Sequence, residues 1–165
     1  MTSAIMPTYS PADIAFEYGE GIYLFSKEGR KYIDFSSGIA VNSLGHSHPH
    51  LVQAIQKQAG KVIHYSNLYK IPGQEQLAKR LVNNSFANSV FFCNSGAEAV
   101  ECGIKVVRRH HFQNGNPQKT RIITCSGGFH GRTLATLSAA KNDKHTDGFF
   151  PMLDGFDQVS FNNLD

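Results

Sequence analysis

Val90-Phe91-Phe92-Cys93-Asn94-Ser95-Gly96-Ala97-Glu98-Ala99-Val100-Glu101 decides how this chain is organised. The run predicts a short buried strand at Val90–Cys93, a tight turn, and then a helix. Ser95 has the hydroxyl of a good N-cap, and Glu98 stands three residues on, as a capping box requires. Ala97, Val100, Ile104 and Val107 then recur with the spacing of one helical face. A strand that feeds a small-residue turn and a helix N-terminus leaves unpaired N–H groups and the positive end of the dipole at one place. Such a turn can hold a phosphate, with Gly96 allowing close backbone approach. The same residues equally describe an ordinary capped strand-to-helix turn, and alone they do not choose between the two.

Outward from this turn, the N-terminal side carries two β-prone runs, Gly21–Phe25 and Lys31–Phe35, with Glu28-Gly29 at the bend between them. They predict a hairpin, which two strands alone would not stabilise. Ser36–His50 reads as a loop rich in Gly, Ser, Asn and His. His46, His48 and His50 alternate there, but no carboxylate or cysteine nearby completes a metal-ligand set. Pro49–Ala59 predicts a helix that opens on proline and ends at Gly60. A second helix starts at Pro72.

On the C-terminal side, Asn114-Gly115-Asn116-Pro117 stops the long helix, and Arg121–Cys125 predicts a strand. Ser126-Gly127-Gly128-Phe129-His130-Gly131-Arg132-Thr133 is a second glycine-rich loop after a strand. A helix of small residues follows over Thr133–Ala140, and a last strand is expected at Gln158–Phe161. Strands alternating with helices predict an α/β fold with a mostly parallel sheet, whose ligands bind beyond the carboxyl ends of the strands. Both glycine-rich loops leave such ends and can face one crevice. Within the second loop Phe129 offers a flat face, Arg132 a fork for a carboxylate, and His130 a titratable or orienting ring. Taken singly, each has a structural alternative: core, surface ion pair, or backbone-satisfied loop residue.

Composition bounds the rest. The 165 residues are 41% hydrophobic and 18% charged, which suits a globular domain with a core. A net charge of +3 without a basic run gives no reason to expect nucleic acid. No apolar stretch approaches membrane-spanning length and Met1–Ser10 does not resemble a signal peptide, so no membrane partner and a cytoplasmic location are expected. Cys93, Cys102 and Cys125 include no C-x-x-C pair, and they read as buried free thiols.

Phe92–Glu101 and Phe-His-Gly-Arg-Thr at Phe129–Thr133 resemble the class III (subgroup II) pyridoxal-phosphate aminotransferases. Gly21–Phe25, Tyr32–Pro49 and Ser66–Tyr69 agree with the same family in the same order, so the resemblance spans essentially the whole chain. It implies fold type I: residues 49–165 as an incomplete cofactor-binding large domain, and residues 1–48 as an arm and hairpin of the small domain. It also implies pyridoxal 5'-phosphate as cofactor. Ser95, Gly96 and Ala97 would hold its phosphate, Phe129 would pack on its ring, His130 would be a further cofactor-binding residue, and Arg132 would bind the substrate carboxylate. The expected reaction moves an amino group from N-acetylornithine, or from ornithine or succinyldiaminopimelate, to 2-oxoglutarate, in the first case for arginine biosynthesis. Family members are homodimers. The Schiff-base lysine of the family lies well beyond the second loop and no lysine here has its context, so no catalytic residue is assigned. The chain by itself is expected to be inactive and to be the N-terminal part of a longer enzyme; the alternative is a catalytically dead truncated remnant with only a binding role.

Overall fold

A computed structural model of the chain describes residues 4–163. The described chain divides into two compact units, Met1–Ile71 and Pro72–Asp165.

The first unit is built on a three-stranded antiparallel sheet of β1 (Phe16–Glu20), β2 (Tyr23–Ser26) and β3 (Lys31–Ile33), in that order. The expected hairpin is β2–β3, and Gly29 supplies the positive φ of its bend. Its support is β1, which the sequence reading passes over. The alternation of Phe16 and Tyr18 with Glu17 carries the period-two signal of a strand. Tyr18 stacks on Phe25 with ring centroids 4.5 Å apart, and Phe16 meets Tyr32 edge-on at 5.5 Å. These cross-strand aromatic pairs hold a sheet whose faces are otherwise largely open.

The loop after β3 contains a turn the sequence does not announce. Ser37–Ala40 (α1) winds left-handed, with φ of +47°, +63°, +64° and +61° at Ser37, Gly38, Ile39 and Ala40. Only Gly38 takes this conformation without steric cost. Helix α2 (Pro49–Ala59) has the anticipated bounds, with Pro49 at its first turn. Gly60 follows at φ −73°, so the helix ends without the left-handed residue its glycine suggests.

The second unit holds α3 (Pro72–Asn83), α4 (Gly96–Gln113), β4 (Ile122–Cys125), α5 (Leu134–Ala140), α6 (Asp143–Thr146) and β5 (Phe156–Val159). β4 and β5 pair in parallel, Ile122 opposite Phe156 and Cys125 opposite Val159, which is the α/β arrangement the helix–strand alternation requires. β5 sits earlier than the expected Gln158–Phe161. The expected strand at Val90–Cys93 does not form. A strand exists through its ladder, and this run has no pairing partner among the described residues.

The core lies where α4, α5 and the parallel pair meet: Ile104, Ala139 and Phe156 are buried, with Val100, Ile122 and Ala135 packed on them. The small side chains of α5 let it press closely, so that Thr136–Ala140 are all buried. Thr124 Oγ1 donates to the Ala139 carbonyl at 2.7 Å, and Gln158 Nε2 donates to that of Ala140 at 2.8 Å, tying helix to sheet. Arg108 on α4 donates to the carbonyls of Thr120 and Asp154. No residue of α2 or α3 is buried. The expectation of buried thiols is also corrected: Cys93 is exposed, and Cys102 and Cys125 are half-buried, because the core is confined to the α4–α5–sheet junction. No helix among the described residues is long and apolar enough to cross a membrane.

Candidate active site at the N-terminus of helix α4

The turn before α4 has the anticipated chemistry. Ser95 is the N-cap, in extended conformation, and its Oγ accepts from the Glu98 amide at 3.2 Å. The Glu98 carboxylate reaches back to the Asn94 amide at 2.6 Å and to Asn94 Nδ2 at 3.0 Å. The reciprocal arm of the capping box therefore closes on the residue before the cap rather than on the cap. The amides of Gly96 and Ala97 have no hydrogen-bond partner among the described residues. A Cβ placed on Gly96 would meet nothing within 4 Å, so the approach to these amides is open. They end a helix of 18 residues, whose dipole adds positive potential at the same point.

The second glycine-rich loop lies on this turn. A Cβ on Gly131, at φ +130°, would fall 2.7 Å from the Cβ of Ala97 and 2.9 Å from Thr136 Oγ1. Thr133 Oγ1 donates to the Glu101 carboxylate one turn along α4, and also meets Thr136 Oγ1 at 3.0 Å. Gly127, at φ +76°, and the Gly128 amide donating to Cys125 O at 3.2 Å shape the exit from β4. The two loops anticipated to share a crevice are thus in contact.

Phe129 is 68% exposed, and the Arg132 guanidinium stands over its ring at 5.4 Å from the centroid. Arg132 has no carboxylate partner among the described residues, so its fork is free to bind one. His130 is placed differently from its neighbours. Its ring lines an apolar cavity of about 300 Å³ with Val100, Ile104 and Phe156, and its buried Nε2 has no hydrogen-bond partner. His130 anchors the loop from below, while Phe129 and Arg132 stand out from it. No sequence pattern separates these roles, since all three follow one another around glycines.

A larger cavity of about 950 Å³ runs along α4, lined among others by Phe92, Cys93, Glu98, Glu101 and Lys105. Its walls include Asn94 and Glu98 of the capped turn, but none of Gly96, Phe129 and Arg132. Among the described residues no group of histidines, cysteines and carboxylates could hold a metal ion. The donor set is two free amides, a serine hydroxyl and a free guanidinium beside an exposed ring. It fits a phosphate-bearing aromatic cofactor and a carboxylate substrate better than a metal.

Comparison with known proteins agrees with this chemistry. The family described as aminotransferase class-III matches residues 5–164. Acetylornithine aminotransferase of Agrobacterium fabrum is 57% identical over 161 residues, covering 98% of this chain and 40% of the relative. The chain therefore spans about two fifths of the length of the curated relatives it matches. The crystal structure of N-acetylornithine aminotransferase from Stenotrophomonas maltophilia superposes with a TM-score of 0.74 at 38% identity, over 93% of this chain and 36% of that one. Ornithine aminotransferase from Toxoplasma gondii, reported with partial occupancy of PLP at its active site, reaches a TM-score of 0.92 at 23% identity, over 97% and 38% of the two chains. At that identity it supports the fold alone. The match over nearly every residue, joined to the two loops that meet at α4, makes this chain a member of the class-III aminotransferase family.

Proposed function

We propose that this chain supplies the phosphate-binding turn and the substrate-carboxylate arginine of a pyridoxal-phosphate aminotransferase. Its amino donor is N-acetylornithine and its acceptor 2-oxoglutarate, and the reaction serves arginine biosynthesis. The observation that carries the reading is the contact of Gly131 with Ala97, which sets the loop that carries Phe129 and Arg132 against a helix N-terminus with free amides.

In this reading the Gly96 and Ala97 amides and the Ser95 hydroxyl donate to the phosphate, and the α4 dipole favours its charge. Phe129 gives the cofactor ring a flat apolar wall that excludes water from one face. Arg132 receives the donor carboxylate in a two-bond fork and so fixes the direction of the reacting carbon. His130 keeps the loop seated on the α4 side. Bound there, pyridoxal phosphate supplies the electron sink that makes proton removal from the donor carbon feasible. None of the chain's own lysines is assigned to that proton transfer, and the isolated chain is expected to show no turnover. Within the whole enzyme, residues 1–48 would join the small domain and 49–165 the large one, in a cytoplasmic homodimer.

Identity of 57% to the Agrobacterium enzyme permits a direct test. This chain is exchanged for the matching two fifths of that enzyme, and glutamate formation is followed with N-acetylornithine, ornithine and succinyldiaminopimelate as donors. The proposal expects a cofactor-loaded chimera that prefers N-acetylornithine. A folded chimera that holds no cofactor overturns the site, and one that prefers another donor overturns the substrate. Visible absorbance of the bound cofactor separates these outcomes from misfolding.

A further inference from the structure

Thr133 stands at the N-cap position of α5 and does not cap it. Its backbone is extended, with φ −77° and ψ 160°, yet its side chain accepts no amide of that helix. N-cap threonines ordinarily turn their oxygen to an amide of the first turn. Here the hydroxyl reaches across to α4 and donates to the Glu101 carboxylate. The Thr133 hydroxyl also meets that of Thr136, a fully buried residue, at 3.0 Å. The Thr133 carbonyl accepts from the Thr136 hydroxyl at 2.9 Å and from the Leu137 amide at 2.8 Å. Glu101 takes part in no ion pair among the described residues, and Thr133 is the donor that the structure gives its carboxylate.

Gly131 makes the other approach to α4, through Ala97. Ala97 and Glu101 are four residues apart in that helix, so they lie one above the other on one face, about 6 Å apart along the axis. The loop is therefore fastened to this face on both sides of a single residue, which is Arg132. Arg132 is exposed, and its guanidinium stands 5.4 Å from the centre of the Phe129 ring. The Gly131 approach is a close packing contact with no direction of its own. Thr133 adds a directed bond, and a carboxylate is a stronger acceptor for a hydroxyl than a neutral group is. Without that bond the Thr133 oxygen is released to cap α5, and the peptide it shares with Arg132 moves with it.

We propose that Glu101 is a positioning residue for Arg132: its carboxylate holds Thr133 against α4 and so fixes the backbone from which the guanidinium reaches the donor carboxylate. The inference rests on the reading of Arg132 as the clamp for that carboxylate. Glu101 itself touches neither cofactor nor substrate and acts through Thr133. One helix then serves both anions. The first turn of α4 presents free amides to the phosphate, and its second turn holds the loop that receives the carboxylate. The distance between the two anions is set along α4. A guanidinium fork makes its second bond only from the right base, so a small displacement weakens carboxylate recognition more than it weakens folding. Glu101 also lines the groove of about 950 Å³ along α4, and a role confined to folding or to that groove is the competing one.

The cofactor-loaded chimera with the Agrobacterium enzyme tests it through Glu101→Leu, Glu101→Gln and Thr133→Val, each alone and together with Arg132→Ala. Leu and Val remove the hydrogen bond, while Gln keeps an acceptor without the charge. Donor affinity is read as KM and, where Arg132→Ala abolishes turnover, as the Kd from cofactor absorbance. We expect Glu101→Leu and Thr133→Val each to raise donor KM by about tenfold, with cofactor absorbance unchanged and kcat falling less. Glu101→Gln should recover most of the affinity. In the Arg132→Ala background Glu101→Leu should weaken the donor no further, because residues that act as one unit are not additive. Donor affinity lowered by Arg132→Ala but not by Glu101→Leu or Thr133→Val overturns the proposal, as does an effect of Glu101→Leu that persists without Arg132. If Arg132→Ala itself leaves donor affinity unchanged, the carboxylate reading fails and this inference fails with it. Should Glu101→Leu not hold cofactor, Thr133→Val decides, since it leaves α4 intact. Nitrogen-15 relaxation of the 165-residue chain gives a result independent of the chimera. The Arg132 and Thr133 amides should lose order in Glu101→Leu and keep it in Glu101→Gln, and equal order in both variants and wild type would overturn the proposal.

Discussion

Gly131 stands so close to Ala97 that a methyl group on the glycine would lie 2.7 Å from the alanine Cβ. This one approach seats the loop of Phe129 and Arg132 on the N-terminus of α4. It joins two sequence motifs that are separated by a helix and a strand. Replacing Gly131 by Ala forces both a steric overlap and a backbone at φ +130° that L-residues avoid. We expect a loss of about 1–3 kcal/mol in urea unfolding, together with weaker phosphate binding. Stability and binding unchanged together would show that the loop is not held there.

Ser95→Ala removes the acceptor of the Glu98 amide. Loss of an N-cap costs about 0.5–2 kcal/mol. Thermal unfolding should show that loss, while Ser95→Asp, which keeps an acceptor, should recover most of it. Phosphate affinity distinguishes the two replacements from wild type: the aspartate places a negative charge at the anion turn and should lower affinity even where stability returns.

Arg132→Lys retains the charge but not the planar fork. Carboxylate binding to the assembled enzyme should fall by roughly tenfold or more, with cofactor loading little changed. Donor KM measured beside cofactor absorbance reads the two effects separately. Equal loss of both would assign Arg132 to the cofactor instead.

Asp34 ties stability to acid pH. Hydrogen bonds from Ser36, from His46 and from the Ser37 amide hold its carboxyl at about 2, against an ordinary 3.8. A depressed folded-state value means that the contribution is fully present above the unfolded value and fades as pH falls from about 4 toward about 2. Asp34→Asn should therefore be less stable than wild type at neutral pH, and the difference should shrink across that window in equilibrium unfolding. A difference independent of pH would remove the carboxylate from the account.

Much of this was legible in the sequence because local chemistry determined it. Pro49 and Ser95 marked helix starts, the spacing of Val100 and Ile104 gave α4 its core face although Val107 on the same stripe is exposed, and Glu28-Gly29 gave the hairpin bend. What escaped depends on partners distant in sequence. Val90–Cys93 has strand composition but no ladder, and Cys93 is exposed although its neighbours are apolar. The left-handed turn at Ser37–Ala40 follows from donors that converge on Asp34, a tertiary arrangement that no residue of the turn advertises. Among the site residues, Ser95, Gly96 and Ala97 form the start of α4, and Phe129 and Arg132 lie on the loop whose Gly131 approaches Ala97. His130 carries no distinguishing signal in the motif, yet its Nε2 is buried while Phe129 beside it is exposed.

The central claim is that the free amides at the start of α4 receive the cofactor phosphate. Titration of nitrogen-15-labelled chain with pyridoxal phosphate, and in parallel with inorganic phosphate, measures it directly. The account predicts that the Gly96 and Ala97 amides shift saturably with both ligands, and that the surroundings of Phe129 respond to pyridoxal phosphate alone. Saturable shifts that map to other residues, with Gly96 and Ala97 unmoved, would contradict it.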